Sequence, residues 1–205
     1  MNNSAISRVV HPMKTIFTIL FAAGLALSTL AQAPSDNPSA YPTKMETLLR
    51  SIGVVINSSS QPTGSVEGSA FQSDTNILTV FIRTQVVGNS DRKAREDGVA
   101  LQMRDAHQWH SHITYVDYEE LPGLITAINR LMALQPELPV VQAKYETRGG
   151  LYVATYSTEK REVLARIQIN NDESNQIKIS REVLKDFRDL LLTAKRNLDL
   201  QRTAK

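Results

Sequence analysis

The chain predicts an α+β fold: two tandem units, each of about four antiparallel strands followed by one helix, packed as one domain. Three observations carry this expectation. One local pattern occurs twice. Asp117 and Glu120 lead into Leu121, Leu124, Ile128 and Leu131, and Ser180 leads into Leu184, Phe187, Leu191 and Ala194 at the same spacing. Apolar residues three and four apart mark one helix face, and a duplicated strand-to-helix junction marks an internal repeat. Runs rich in β-branched and aromatic residues precede each of these helices. The chain also has no cysteine, so an exported form must be held by an ordinary apolar core rather than by disulfides.

The elements follow in order. Residues 1–33 are expected to be a cleaved signal peptide, with Lys14, an apolar run over residues 16–27, and small residues at Ala31 and Ala33. That run falls short of the roughly 20 apolar residues of a membrane span. Cleavage after Ala31 and cleavage after Ala33 are both open, as are starts at Met1 and at Met13. Residues 34–65 read as an N-terminal linker with a short amphipathic helix. The helix spans residues 44–52 and uses Met45, Leu48, Leu49 and Ile52. The Ser-, Gly- and Pro-rich residues 57–68 read as loop.

The first unit covers residues 66–137. Ile77, Thr79, Val80, Ile82, Val86 and Val87 predict a strand over 76–87. Residues 88–98 read as a charged, solvated loop, and 99–105 with 109–116 as a hairpin. Asp117 and Glu120 fit a capping box for a helix from about 118 to 135. Pro122 places the start of the regular helix later, and Pro136 and Pro139 stop it.

The second unit covers residues 138–205. Strands are expected at 140–147, 151–156, 163–169 and 176–179, with turns at Gly149-Gly150 and 157–161. The last helix runs from 181 to about 200, with Leu184, Phe187, Leu191, Ala194 and Leu198 on one stripe. That stripe covers a sheet within the monomer or, alternatively, forms a subunit seam.

Charge narrows the function. The whole chain is formally +2, but residues 1–33 carry Arg8 and Lys14 and no acid. The remainder is neutral. A non-specific nucleic-acid binder carries a basic excess, so a nucleic-acid partner is disfavoured unless charge segregates onto one face.

The only cluster with metal-ligand chemistry is His107, His110 and His112, with Asp105 beside it. On a strand His110 and His112 share a face, and imidazole suits zinc, copper or nickel. A site needs three or four convergent ligands, and a polar hairpin tip is the plainer reading. Glu119 and Glu120 are first-turn acids that favour a helix dipole. Ser111 lacks the Gly-x-Ser-x-Gly context of a nucleophile. Tyr115, Tyr118, Tyr145, Tyr152 and Tyr156 fall largely on strands, where they serve sheet packing or, exposed, bind sugars, peptides or bases.

Residues 115–121 and 145–153, Tyr-Val-Asp-Tyr-Glu-Glu-Leu and Tyr-Glu-Thr-Arg-Gly-Gly-Leu-Tyr-Val, resemble segments of an uncharacterised family of secreted bacterial proteins. The resemblance covers about residues 66–200. It implies export and a compact β/α body, and carries no catalytic or binding residue. The strand and helix order is also similar to that of the Whirly family of single-stranded-DNA-binding proteins, by pattern rather than by residues.

The sequence therefore predicts a secreted or periplasmic, non-enzymatic binding or interaction module with a protein or small-ligand partner. No catalytic, cofactor-binding or metal residue is assigned, and no cofactor is expected. The alternatives are a metal-binding protein or metal-dependent enzyme using the His107–His112 cluster, and a Whirly-like single-stranded nucleic-acid binder.

Overall fold

A computed structural model describes residues 42–91, 93–105, 111–135, 142–170 and 174–204. The expected signal peptide, residues 34–41 of the linker, His107, His110 and the expected helix-stopping Pro136 and Pro139 lie outside these residues. The order is α1 (Lys44–Leu49), β1 (Ile56–Ala70), β2 (Ser73–Asn89), β3 (Ala94–Asp105), β4 (Ser111–Asp117), α2 (Leu121–Ala133), β5 (Gln142–Glu146), β6 (Leu151–Ser157), β7 (Val163–Ile169), β8 (Gln176–Ile179) and α3 (Arg181–Thr203). The fold is α+β. All eight strands join one sheet in the order β4-β3-β2-β1-β8-β7-β6-β5, and every pairing is antiparallel. No described helix is long and apolar enough to cross a membrane.

Alternation along the strands gives the sheet an inner and an outer face. Val80, Ile82, Val99, Leu101, Val153, Ile167 and Ile177 point inward into one core. The helices cover that face with Leu121, Leu124, Ile128 and Leu131 from α2, and with Leu184, Phe187, Leu191, Ala194 and Leu198 from α3. The α3 stripe is thus buried beneath this chain's own sheet, and a subunit seam along it is excluded. Ser180 caps α3 by accepting from Val183 N at 3.3 Å. Asp97, from the inner side of β3, accepts two hydrogen bonds from Arg202 and ties down the end of α3.

Four expectations change. The segment read as loop over 57–68 lies within the long strand β1. It is a strand because β2 pairs with it along its length, with a register shift between Pro62 and Gly64. The charged loop over 88–98 shrinks to a tight turn, since β3 begins at Ala94. Ile52 lies beyond α1 and is 96% exposed. Asp117 makes no cap for α2, which a short 3-10 turn, Tyr118–Glu120, precedes. Asp117 instead accepts from Lys44 N at 2.8 Å and Met45 N at 3.3 Å, the first N–H groups of α1. Glu120 accepts from Arg148 N at 2.9 Å, in the β5–β6 turn. The two carboxylates that fit a local box serve two distant backbones.

The sheet curls until one edge meets the other half of the chain. Thr114 Oγ1 donates to the Gly149 carbonyl, and Asn170 Nδ2 to the Ile113 carbonyl at 3.3 Å. Gly149 has no substitute here, because a Cβ would fall on the Tyr115 carbonyl oxygen. Gly150 beside it takes φ +78°, the left-handed region that completes the hairpin.

Candidate functional site

The outer face of β5–β8 departs from what a solvated sheet surface needs. One register row runs Lys144–Ala154–Arg166–Lys178 and continues onto Ser69 of β1. Three of these positions are cations, and Arg166 and Lys178 are directly opposed. Like charges directly opposite destabilise a sheet. Among the described residues only Lys178 of the three has a carboxylate partner, the exposed Asp74.

Aromatic rings interleave with this row. The Arg166 guanidinium carbon stands 4.9 Å from the Tyr152 ring centre and 5.1 Å from that of Phe71. Lys144 Nζ lies 5.5 Å from the Tyr152 centre. Phe71 meets Tyr156 edge-on at 6.1 Å between centroids. Cations over aromatic faces gain about 0.5–2 kcal/mol each, which offsets part of the repulsion within the row. Hydrogen bonds fix the cluster further. Tyr152 Oη accepts from Gln142 Nε2 at 2.7 Å and from Arg166 Nη2 at 2.8 Å, and Arg166 Nη1 donates to Gln176 Oε1 at 3.2 Å. Burial raises the Tyr156 hydroxyl above the usual phenol range, against the opposing pull of Lys178 and Arg166. It stays protonated and remains a donor at neutral pH.

Each ring owes its place to the fold. Tyr152 and Tyr156 occupy outward positions of β6, between the inward Leu151, Val153 and Thr155. Phe71 follows β1, where its N–H donates to the Gln176 carbonyl at 3.0 Å and brings the ring, 40% exposed, beside β8. The sequence marked Tyr152 and Tyr156 as strand aromatics. It held no local sign of Phe71 beside Arg166, because their meeting depends on the β1–β8 pairing.

Of the histidine cluster, His112 is on β4 and lines a cavity of about 240 Å³ that Asp105, Asn76 and Phe71 also line. Asn76 Nδ2 donates to Asp105 Oδ2 at 2.9 Å. Among the described residues no group of three or more His, Cys, Asp or Glu side chains converges as metal ligands would. Tyr118 is structural, stacked 3.5 Å beneath the Arg202 guanidinium and bonded to Asp199. Tyr115 and Tyr145 pack against apolar clusters. Glu119 pairs with Lys44, which holds its carboxyl below the usual range.

No protein-family model, curated protein or solved structure matches this chain.

Proposed function

We propose that this protein is an exported, non-enzymatic binding module whose outer sheet face around Arg166 receives an anionic ligand. One observation carries the reading: a single register row holds Lys144, Arg166 and Lys178 on a face whose rings and glutamines hold the cations in place. A row of like charges works against stability, and a local rule broken without structural gain is expected where function is served. Charge neutrality of the chain after residue 33 is compatible with this reading, because a local row of three cations needs no basic excess in the whole chain. Export is supported by the signal pattern of residues 1–33. A tandem duplication is supported by the element order and by the two matching stripes on α2 and α3.

The test is fluorescence anisotropy with a labelled heparin decasaccharide as the anionic probe, at low and at physiological salt. Binding is expected, weakening steeply as salt rises. It should fall at least about tenfold, equivalent to 1.4 kcal/mol, in Lys144→Glu/Lys178→Glu. No binding at low salt, or equal binding by the double variant, contradicts the proposal. A labelled oligothymidylate bound more tightly than heparin would favour the nucleic-acid alternative, since bases stack on exposed rings. The metal alternative rests, within the described residues, on Asp105 and His112. A melting temperature unmoved by zinc or copper would remove it.

A further inference from the structure

Phe71 belongs to two sites of opposite chemistry, the cation row and the cavity that His112 lines. The cavity walls come from one end of the sheet: the β1–β2 turn, the first residues of β2 and β4, the last of β3, and the residues ahead of β8. The sheet closes across this end, where Asn170 Nδ2 donates to the Ile113 carbonyl, and ligand cavities recur at the mouths of closed sheets.

Leu78 and Met103 supply apolar wall, and Asn76, Asp105 and His112 are among the polar groups. Among the described residues no lysine or arginine lines the cavity, so Asp105 makes it hostile to an anion and favourable to neutral donors. Asn76 Nδ2 donates to Asp105 Oδ2 at 2.9 Å, while Asn76 Oδ1 is buried with no hydrogen-bond partner among the described residues. A buried acceptor left unmatched is costly, and this one calls for a donor. At about 240 Å³ the cavity falls below the roughly 300–1,000 Å³ of pockets for drug-sized ligands. It suits part of one small ring.

The row outside takes the opposite group. Glu146 on β5 and Glu67 on β1 share its face, two residues from Lys144 and from Ser69, and Lys178 is paired with Asp74. Negative charge on a ligand therefore belongs at Arg166, in the middle of the row. Its guanidinium carbon lies 5.1 Å from the centre of the Phe71 ring, which is 40% exposed. The site for an anion and the site for a neutral donor thus meet at one aromatic plane.

We infer that the ligand of this face is an unsulfated polysaccharide of uronic acid rings, a deepening that rests on the outer-face reading above. Such a ring carries a carboxylate on one edge, hydroxyls on the opposite edge and an apolar C–H face between them. The carboxylate meets Arg166, the C–H face packs on Phe71, and a hydroxyl enters the cavity and donates to Asn76 Oδ1. A sulfated chain such as heparin has anionic groups on the entering edge, and Asp105 confines it to the outer row.

The probes are end-labelled hexagalacturonate and hexaglutamate amide, equal in carboxylates, titrated against the full chain by anisotropy at low salt. The sugar is expected to bind at least about tenfold more tightly. Asn76→Ala should weaken binding of the sugar at least about tenfold more than binding of the peptide. Should that variant fail to fold, the His112 imidazole resonances of the unaltered chain decide. They should shift with hexagalacturonate and stay fixed with hexaglutamate and with heparin. Equal affinity for the two probes, equal losses in a folded Asn76→Ala, or a silent His112 overturns the inference and leaves the outer-face reading standing. Failure of both probes and of heparin to bind removes that reading and the inference together.

Discussion

The two faces of the sheet answer opposite demands. The inner face is apolar and covered, and α2 and α3 fit it with stripes whose spacing is regular enough to read without a structure. The outer face is polar, and on β5–β8 it places Lys144, Arg166 and Lys178 in one row in which, among the described residues, only Lys178 has a carboxylate partner, the exposed Asp74. Packing explains the first face completely. It does not explain the second, where the arrangement of charge is unfavourable for the folded state alone. The difference separates what holds this chain together from what it presents to a partner.

Substitutions on the two faces should therefore behave differently. The largest effect is expected for Leu191→Asp, since Leu191 is fully buried under the sheet. Placing a carboxylate there costs more than about 5 kcal/mol. The variant should lose its circular dichroism signature rather than give a smaller folded species on size exclusion, and a folded, smaller species would break the account of α3. Next comes Asp97→Asn, which removes the carboxylate that fastens Arg202 to β3. Arg202 is half-exposed, so its charge can return to water, and a loss of about 1–2 kcal/mol is expected in denaturant unfolding. On the outer face Arg166→Ala gives up cation–aromatic contacts and relieves repulsion with Lys178. Its stability should change by less than about 1 kcal/mol, while binding of the anionic probe is lost.

The smallest effect is a pH dependence. Hydrogen bonds from Lys195 and Tyr118 hold the Asp199 carboxyl below the usual carboxylate range. A carboxylate whose folded pKa is depressed contributes stability above its unfolded pKa, lost as pH falls through the folded one. A thermal melt series from about pH 6 to pH 2 should show a decline below about pH 4. Asp199→Asn should flatten part of it, and an unchanged decline would remove the carboxylate from the account.

The inner face was legible because burial imposes a period. The stripes of α2 and α3, and strands β6, β7 and β8, follow from apolar spacing and turn residues alone. Strand β1 was not legible. Its Ser-, Gly- and Pro-rich sequence has few apolar residues to bury, and it is held by pairing with β2 rather than by its own propensity. Asp117 and Glu120 misled for a related reason. The spacing of a capping box was present, yet α1 and the Arg148 backbone competed for the same oxygens and won. The candidate site was half legible. Alternation on β6 assigns Tyr152 and Tyr156 to one face of the strand, whereas the row joining Lys144, Arg166 and Lys178 exists only once the strand register is known.

The most direct test of the central claim is backbone amide chemical-shift mapping of the protein titrated with the heparin decasaccharide. The account predicts perturbations confined to the outer-face positions around Phe71, Lys144, Tyr152, Arg166 and Lys178, with the amides of α2 and α3 unmoved. Perturbations centred on those helices or on the His112 cavity, with the Arg166 row silent, would contradict it.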